Sequence, residues 1–155
     1  MQAIFEACQQ QLDRLYADIE RAIAGLSQEA LDWTPGPEMN SFYALVVHLT
    51  GAGRYWIGDV AARESSGRDR AAEFRAEGLD EVALKQRLVE TLTYCKSVVG
   101  KLALQDLETV HVSPNDGQQF TVAWSLLHAL EHTAIHAGHI QIMRQMWDQK
   151  TLQQS

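Results

Sequence analysis

Apolar residues recur every three or four positions through four stretches of this chain, and proline, glycine and polar runs separate the stretches. That spacing aligns them on one face of a helix. The first stretch spans about Ala3 to Gly25, with Ile4, Cys8, Leu12, Leu15, Ile19 and Ile23 as its stripe. Gly25 is placed to stop it, and Ser27 to cap a short turn through Ala30. The loop TPGPEMN follows, where Pro35, Gly36 and Pro37 cannot continue a helix. Asn40 or Ser41 caps a second helix over about Phe42 to Arg63, with Leu45, His48, Leu49, Ala52, Trp56 and Val60 turned inward. ESSGRDR breaks that pattern. Asp80 caps a third helix that runs to about Leu102 on Leu84, Leu88, Leu92, Cys95 and Val99. In the connection DLETVHVSPNDGQQF, Val110 and Val112 alternate with polar residues and Pro114 to Gly117 signals a turn. It predicts a short hairpin with strands of about three or four residues. Thr121 caps a fourth helix over about Val122 to Gln149, with Leu127, Leu130, Ala134, Ile135 and Met143 as the expected inner face. Four amphipathic helices of about 20 to 28 residues predict one all-α domain over residues 1–155, a four-helix bundle with a long crossover connection before the last helix.

The fourth helix carries His128, His132, His136 and His139, and His48 lies in the apolar run of the second. At 100° per residue the four project at about 0°, 40°, 80° and 20°, inside one narrow arc. The outermost pair is separated by roughly 16 Å along the axis, so one metal cannot take all four. The residues offer His128/His132 and His132/His136 equally as an i, i+4 ligand pair, with His136/His139 behind them. Burying several imidazoles without partners costs about 1–3 kcal/mol each, and a metal supplies the partner. A third imidazole from a neighbouring helix completes a three-nitrogen site with an open position. A donor set of imidazoles suits zinc, nickel, copper or ferrous iron rather than calcium or magnesium. Glu131 points away from His132 and reads as an exposed acid, and His111, in the connection, as a surface residue.

The bulk numbers narrow the function classes. The chain has 155 residues and a formal net charge of -7, so no basic surplus exists to neutralise a nucleic acid. SGRDRAAEFR carries three arginines, but acids interrupt them, and it reads as a solvated polar segment. No apolar run approaches the roughly 20 residues that span a bilayer. The N-terminus lacks the apolar core of a signal peptide, so a cytoplasmic protein without membrane or nucleic-acid partners is expected. Cys8 and Cys95, far apart and on apolar stripes, read as small buried hydrophobes rather than a disulfide or a redox pair.

Four segments resemble the DinB family, which is related to the metal-dependent thiol transferases. LDWTPGPEMNSFYALVVHL resembles the family's Trp-x-Pro loop and the helix that bears its first ligand. GRYWIGDVAAR extends that helix, RDRAAEF resembles a motif of one subgroup, and TVAWSLLHALEHTAIHAGHI resembles the terminal helix with paired ligands. The resemblance implies a metal triad of His48, His132 and His136. It leaves His128 and His139 behind the ligands or lining a pocket. His139 replaces a glutamine of the family pattern and is also a candidate for occasional coordination. A divalent cofactor is implied, zinc or nickel first and iron next, in a homodimer whose surface Trp147 could help form. Tyr55, Trp56 and Trp124 are candidates for the pocket, and Arg54 and Arg144 for anchoring a carboxylate-bearing thiol. The expected activity is transfer of a low-molecular-weight thiol to an electrophilic small molecule. The alternative is a non-catalytic, stress-related bundle that binds a metal or a small ligand.

Overall fold

The structure is a computed structural model that describes residues 2–76 and 78–153. Four long helical segments form the bundle. They are α1 (Ala3–Ile23), α3 (Phe42–Gly53) with its π-helical continuation Arg54–Ala61, α5 (Glu81–Val99) and α6 (Val122–Gln153). Two short helices, α2 (Gln28–Asp32) and α4 (Arg70–Glu73), sit in the connections. Both α1 and α3 pack against α5 and α6, so the cyclic order is α1–α5–α3–α6. The connections α1 to α3 and α5 to α6 therefore cross the bundle diagonally. The second contains a 3-10 turn (Leu104–Glu108) and an antiparallel hairpin, β1 (Val110–Val112) with β2 (Gln119–Thr121), in which His111 faces Phe120. The expected bundle, crossover and hairpin are all present. Among the described residues, no helix is long and apolar enough to cross a membrane.

The helix starts follow from side-chain capping. Ser27, Ser41, Asp69 and Asp80 each accept from the backbone N–H three residues on, which satisfies an orphan donor of the first turn. Thr121 does the same for Trp124. Gly25, at φ +71°, provides the left-handed residue after α1. Arg144 of α6 closes the same end by donating to the carbonyls of Ala22 and Ala24, and it pairs with Asp148. It is thus committed to a helix terminus and does not serve as a thiol anchor.

Every residue of α3 is buried. A helix apolar all round belongs at the centre of its fold, and this one carries His48 there. Beyond it the helix widens, and the N–H of Ala62 reaches back to the carbonyls of Ile57 and Gly58. A side chain at Gly58 would meet the Tyr94 hydroxyl at 2.5 Å, so only glycine lets α5 approach there.

Two expected inner faces are corrected. On α1, Ile4 is 51% exposed and Phe5 takes its place in the core. On α6, Leu127 and Ile135 are 64% and 51% exposed, whereas Val122, Leu126, Ala129, Thr133, Ala137, Ile140 and Met143 are buried. Trp147 packs on Trp33 with ring centroids 5.4 Å apart, and so lies against the core rather than on a free surface. Cys8 and Cys95 are free and buried, and burial pushes their thiols up to about 11 and about 12.

Candidate metal centre

His48 of α3 and His132 and His136 of α6 turn their rings toward one point. One ring nitrogen from each lies within 4.8 Å of the other two. His48 Nε2 and His132 Nε2 are 3.1 Å apart. The two rings on α6 are one helical turn apart, with centroids 4.4 Å apart. His48 is buried, and His132 and His136 are half-buried.

A buried ion pair fixes the orientation of His48. Its Nδ1 lies 2.9 Å from Glu73 Oε2, where an ionised carboxylate can only accept. His48 therefore donates Nδ1–H, and its Nε2 faces His132. Arg68 clamps the same carboxylate twice, Nε to Oε1 at 2.6 Å and Nη2 to Oε2 at 2.8 Å. Burial pushes the Glu73 carboxyl up, but the hydrogen bonds from Arg68 and His48 outweigh it and hold it below its ordinary range. Asp69 caps the short helix that delivers Glu73. Phe74 then lays its ring against His48 at 4.6 Å. Gly51 makes room, because a Cβ there would fall 2.0 Å from Glu73 Oε1. Sequence reasoning missed Arg68 and Glu73 as functional residues; the quoted RDRAAEF segment was their only signal.

The arrangement fits a cation better than it fits hydrogen bonds alone. The Nδ1 atoms of His132 and His136 are buried and have no partner. Burial first, and then the neighbouring histidines, lower His132 to about 3 and His136 to about 4. Both are therefore neutral near pH 7 and keep lone pairs to give. A carboxylate–histidine–metal arrangement needs the orienter that Glu73 supplies. Three imidazoles, one of them oriented by a carboxylate, are what a divalent ion takes with a coordination position left over.

The other polar and aromatic residues lie around the triad. His128 lies one turn before His132, stacked on Trp124 at 4.7 Å and edge-on to Trp56. With Phe120 these rings form an aromatic wall that starts beside His132. Trp124 is 42% exposed, so the wall reaches solvent. His139 is exposed, with its ring 5.5 Å from that of His136. Tyr55 is buried and shares a 2.6 Å hydrogen bond with Ser113, so it pins the hairpin. His111 is half-buried and bonds the Val60 carbonyl at 2.8 Å, which ties β1 to the π-helical stretch; the expected surface residue is a tether. Glu131 is exposed, as expected. Asp59 and Asp106 hold backbone in neighbouring loops.

Known proteins bear on this site as follows. The sequence pattern of the mycothiol-S-transferase family matches residues 7–149. No functionally curated protein matches the chain. Among solved structures, a conserved protein of Enterococcus faecalis superposes with a TM-score of 0.78 at 15% identity, over 93% of this chain and 96% of its own. YfiT of Bacillus subtilis, a probable metal-dependent hydrolase with an unusual four-helix bundle topology, gives 0.77 at 15% identity, over 96% and 90%. A DinB-like protein of Bacillus subtilis gives 0.68 at 15% identity, over 90% and 91%. Such low identities establish a common fold, the expected DinB-like bundle.

Proposed function

This chain belongs to the mycothiol-S-transferase family, and from that premise we propose a metal-dependent transferase that joins a low-molecular-weight thiol to an electrophilic small molecule. The observation that carries the reading is the convergence of His48, His132 and His136 on one point. The family supports the thiol. Zinc and nickel suit the three imidazoles best, with iron next. Such an ion, when bound, supplies Lewis acidity that favours the ionised, nucleophilic form of a thiol.

The chain's own residues set the conditions for that chemistry. Glu73 and Arg68 hold His48 so that Nε2 points at the other two rings. Low proton affinity keeps His132 and His136 available as donors. The wall of Trp56, Phe120, Trp124 and His128 offers flat apolar surface to the hydrocarbon part of an electrophile. We extend the proposal to a homodimer, supported by the exposed apolar residues Leu127, Ile135, Ile142 and Met146 on one arc of α6.

Elemental analysis of untagged protein, followed by turnover assays with mycothiol, glutathione and an alkylating electrophile, tests the reading. About one metal per chain is expected, lost in His132→Ala, together with metal-dependent consumption of one thiol. Stoichiometric metal without turnover of any thiol would leave a non-catalytic binder. Traces of metal that His132→Ala does not alter would remove the metal centre.

A further inference from the structure

A cleft of about 430 Å³ is lined by three arginines, Arg54, Arg68 and Arg87, with Gly51, Asp69 and Glu73 among its other walls. Glu73 also holds His48, and Arg68 lies 3.5 Å from the His48 Nδ1, so the cleft borders the candidate metal centre through these two side chains. Arg68 is spent on Glu73. Asp69 turns one oxygen to the N-terminus of α4. Arg54 and Arg87 have no ion-pair partner among the described residues, although both are half-buried.

What these two do contact leaves their hydrogen-bonding edges free. Arg54 lies flat over Tyr94, its guanidinium carbon 3.3 Å from the ring centroid. Stacking occupies a face of the guanidinium, while the N–H groups radiate from its rim. Arg87 donates Nε–H to Thr50 Oγ1 at 2.6 Å. That hydroxyl gives its own proton to the carbonyls of Val46 or Val47, so it is fixed as an acceptor and aims Arg87. The terminal N–H groups of Arg87 remain. Partly desolvated cations need a counter-charge, and among the described residues neither Arg54 nor Arg87 has an acid within ion-pair distance.

We propose that this cleft binds a small oxyanion, the carboxylate or phosphate group of a small molecule, with Arg54 and Arg87 as its binding residues. Planar guanidinium forks match the paired oxygens of such groups. The volume admits a metabolite-sized ligand and not a polymer. The site does not depend on the transferase reading, because the binding needs no metal and no thiol.

Isothermal titration of the full chain, stripped of metal, with succinate and with inorganic phosphate tests it. At least one probe is expected to bind with a Kd of about 1 mM or tighter. Arg54→Gln and Arg87→Gln are each expected to weaken that binding about tenfold or more. Arg87→Lys keeps the charge but not the fork and is expected to fall between wild type and Arg87→Gln. Arg21→Gln, on the exposed face of α1, is expected to bind as wild type does. The preferred probe assigns a carboxylate or a phosphate. Arg54→Gln removes no hydrogen bond of the bundle, so it reports even if an Arg87 variant does not fold. Failure of both probes to bind, or wild-type affinity in both glutamine variants, overturns the proposal.

Discussion

Glu73 is the residue on which the candidate metal centre turns, although its oxygens bind Arg68 and His48 from behind the triad. It decides which nitrogen of His48 is free, and Arg68 decides that Glu73 stays ionised. Glu73→Ala is expected to lower metal affinity about 10- to 100-fold, measured by competition with a chromophoric chelator. It also strands Arg68, whose side chain is 8% exposed. Urea unfolding of the variant should show a loss of about 3–5 kcal/mol. A second prediction concerns protons. The folded-state values of His132 and His136, about 3 and about 4, lie below the ordinary 6.5. Between those values the unfolded chain binds more protons than the folded one, so stability rises with pH through that window. In metal-free protein this contribution is full above pH 6.5 and is lost progressively as pH falls to about 3. Melting temperatures across that range test it. A His132→Asn, His136→Asn double variant with the same slope as wild type would assign the acid sensitivity elsewhere. The histidines were legible in the sequence because helical spacing aligns them and an apolar run flags His48. Arg68 and Glu73 were not, because charges that pair in the interior look in sequence like charges that meet water.

At the scale of elements, the approach of α4 to α3 depends on a missing side chain. Gly51→Ala would drive a methyl group into the Glu73 carboxylate. The variant is expected to melt lower and to bind metal more weakly, in parallel with Glu73→Ala. An unchanged chelator competition would show that the carboxylate can retreat without releasing His48. The faces of α6 explain a different gap in legibility. Hydropathy alone selects the large residues Leu127 and Ile135 as the interior, yet small ones occupy it. Ser125, Ala129, Thr133 and Ala137 let α6 come close to its neighbours. Ser125 and Thr133 return their hydroxyl protons to the carbonyls of Thr121 and Ala129, so their polarity is satisfied within the helix. A count of apolar residues cannot register that. Capping residues and the turn at Pro114 to Gly117 act locally, and these were read correctly.

The whole molecule places its candidate ligands on helices that are adjacent in space and distant along the chain, as α3 packs directly against α6. The large apolar residues that α6 turns outward are the feature behind the proposed dimer. Ile135→Glu and Ile142→Glu together are expected to shift the mass measured by light scattering from two chains to one. Metal content per chain should be preserved, since neither residue contributes to the triad. A wild-type protein that runs as a single chain at all concentrations would end that part of the reading. The bundle order was legible only as a helix count and a long crossover. Which helices touch is set by packing across the diagonal connections, and periodicity carries no record of it.

The crossover is also stitched down at two points just before its turn, by Tyr55 to Ser113 and by His111 to Val60. Pro114, Asn115 and Asp116 between these points and β2 are exposed. A nick between Asn115 and Asp116 would divide the chain into two pieces, one bearing His48 and the other His132 and His136. Neither piece alone holds the whole triad of His48, His132 and His136, so ion uptake by the mixed fragments that neither fragment shows alone would report that the two halves had found each other.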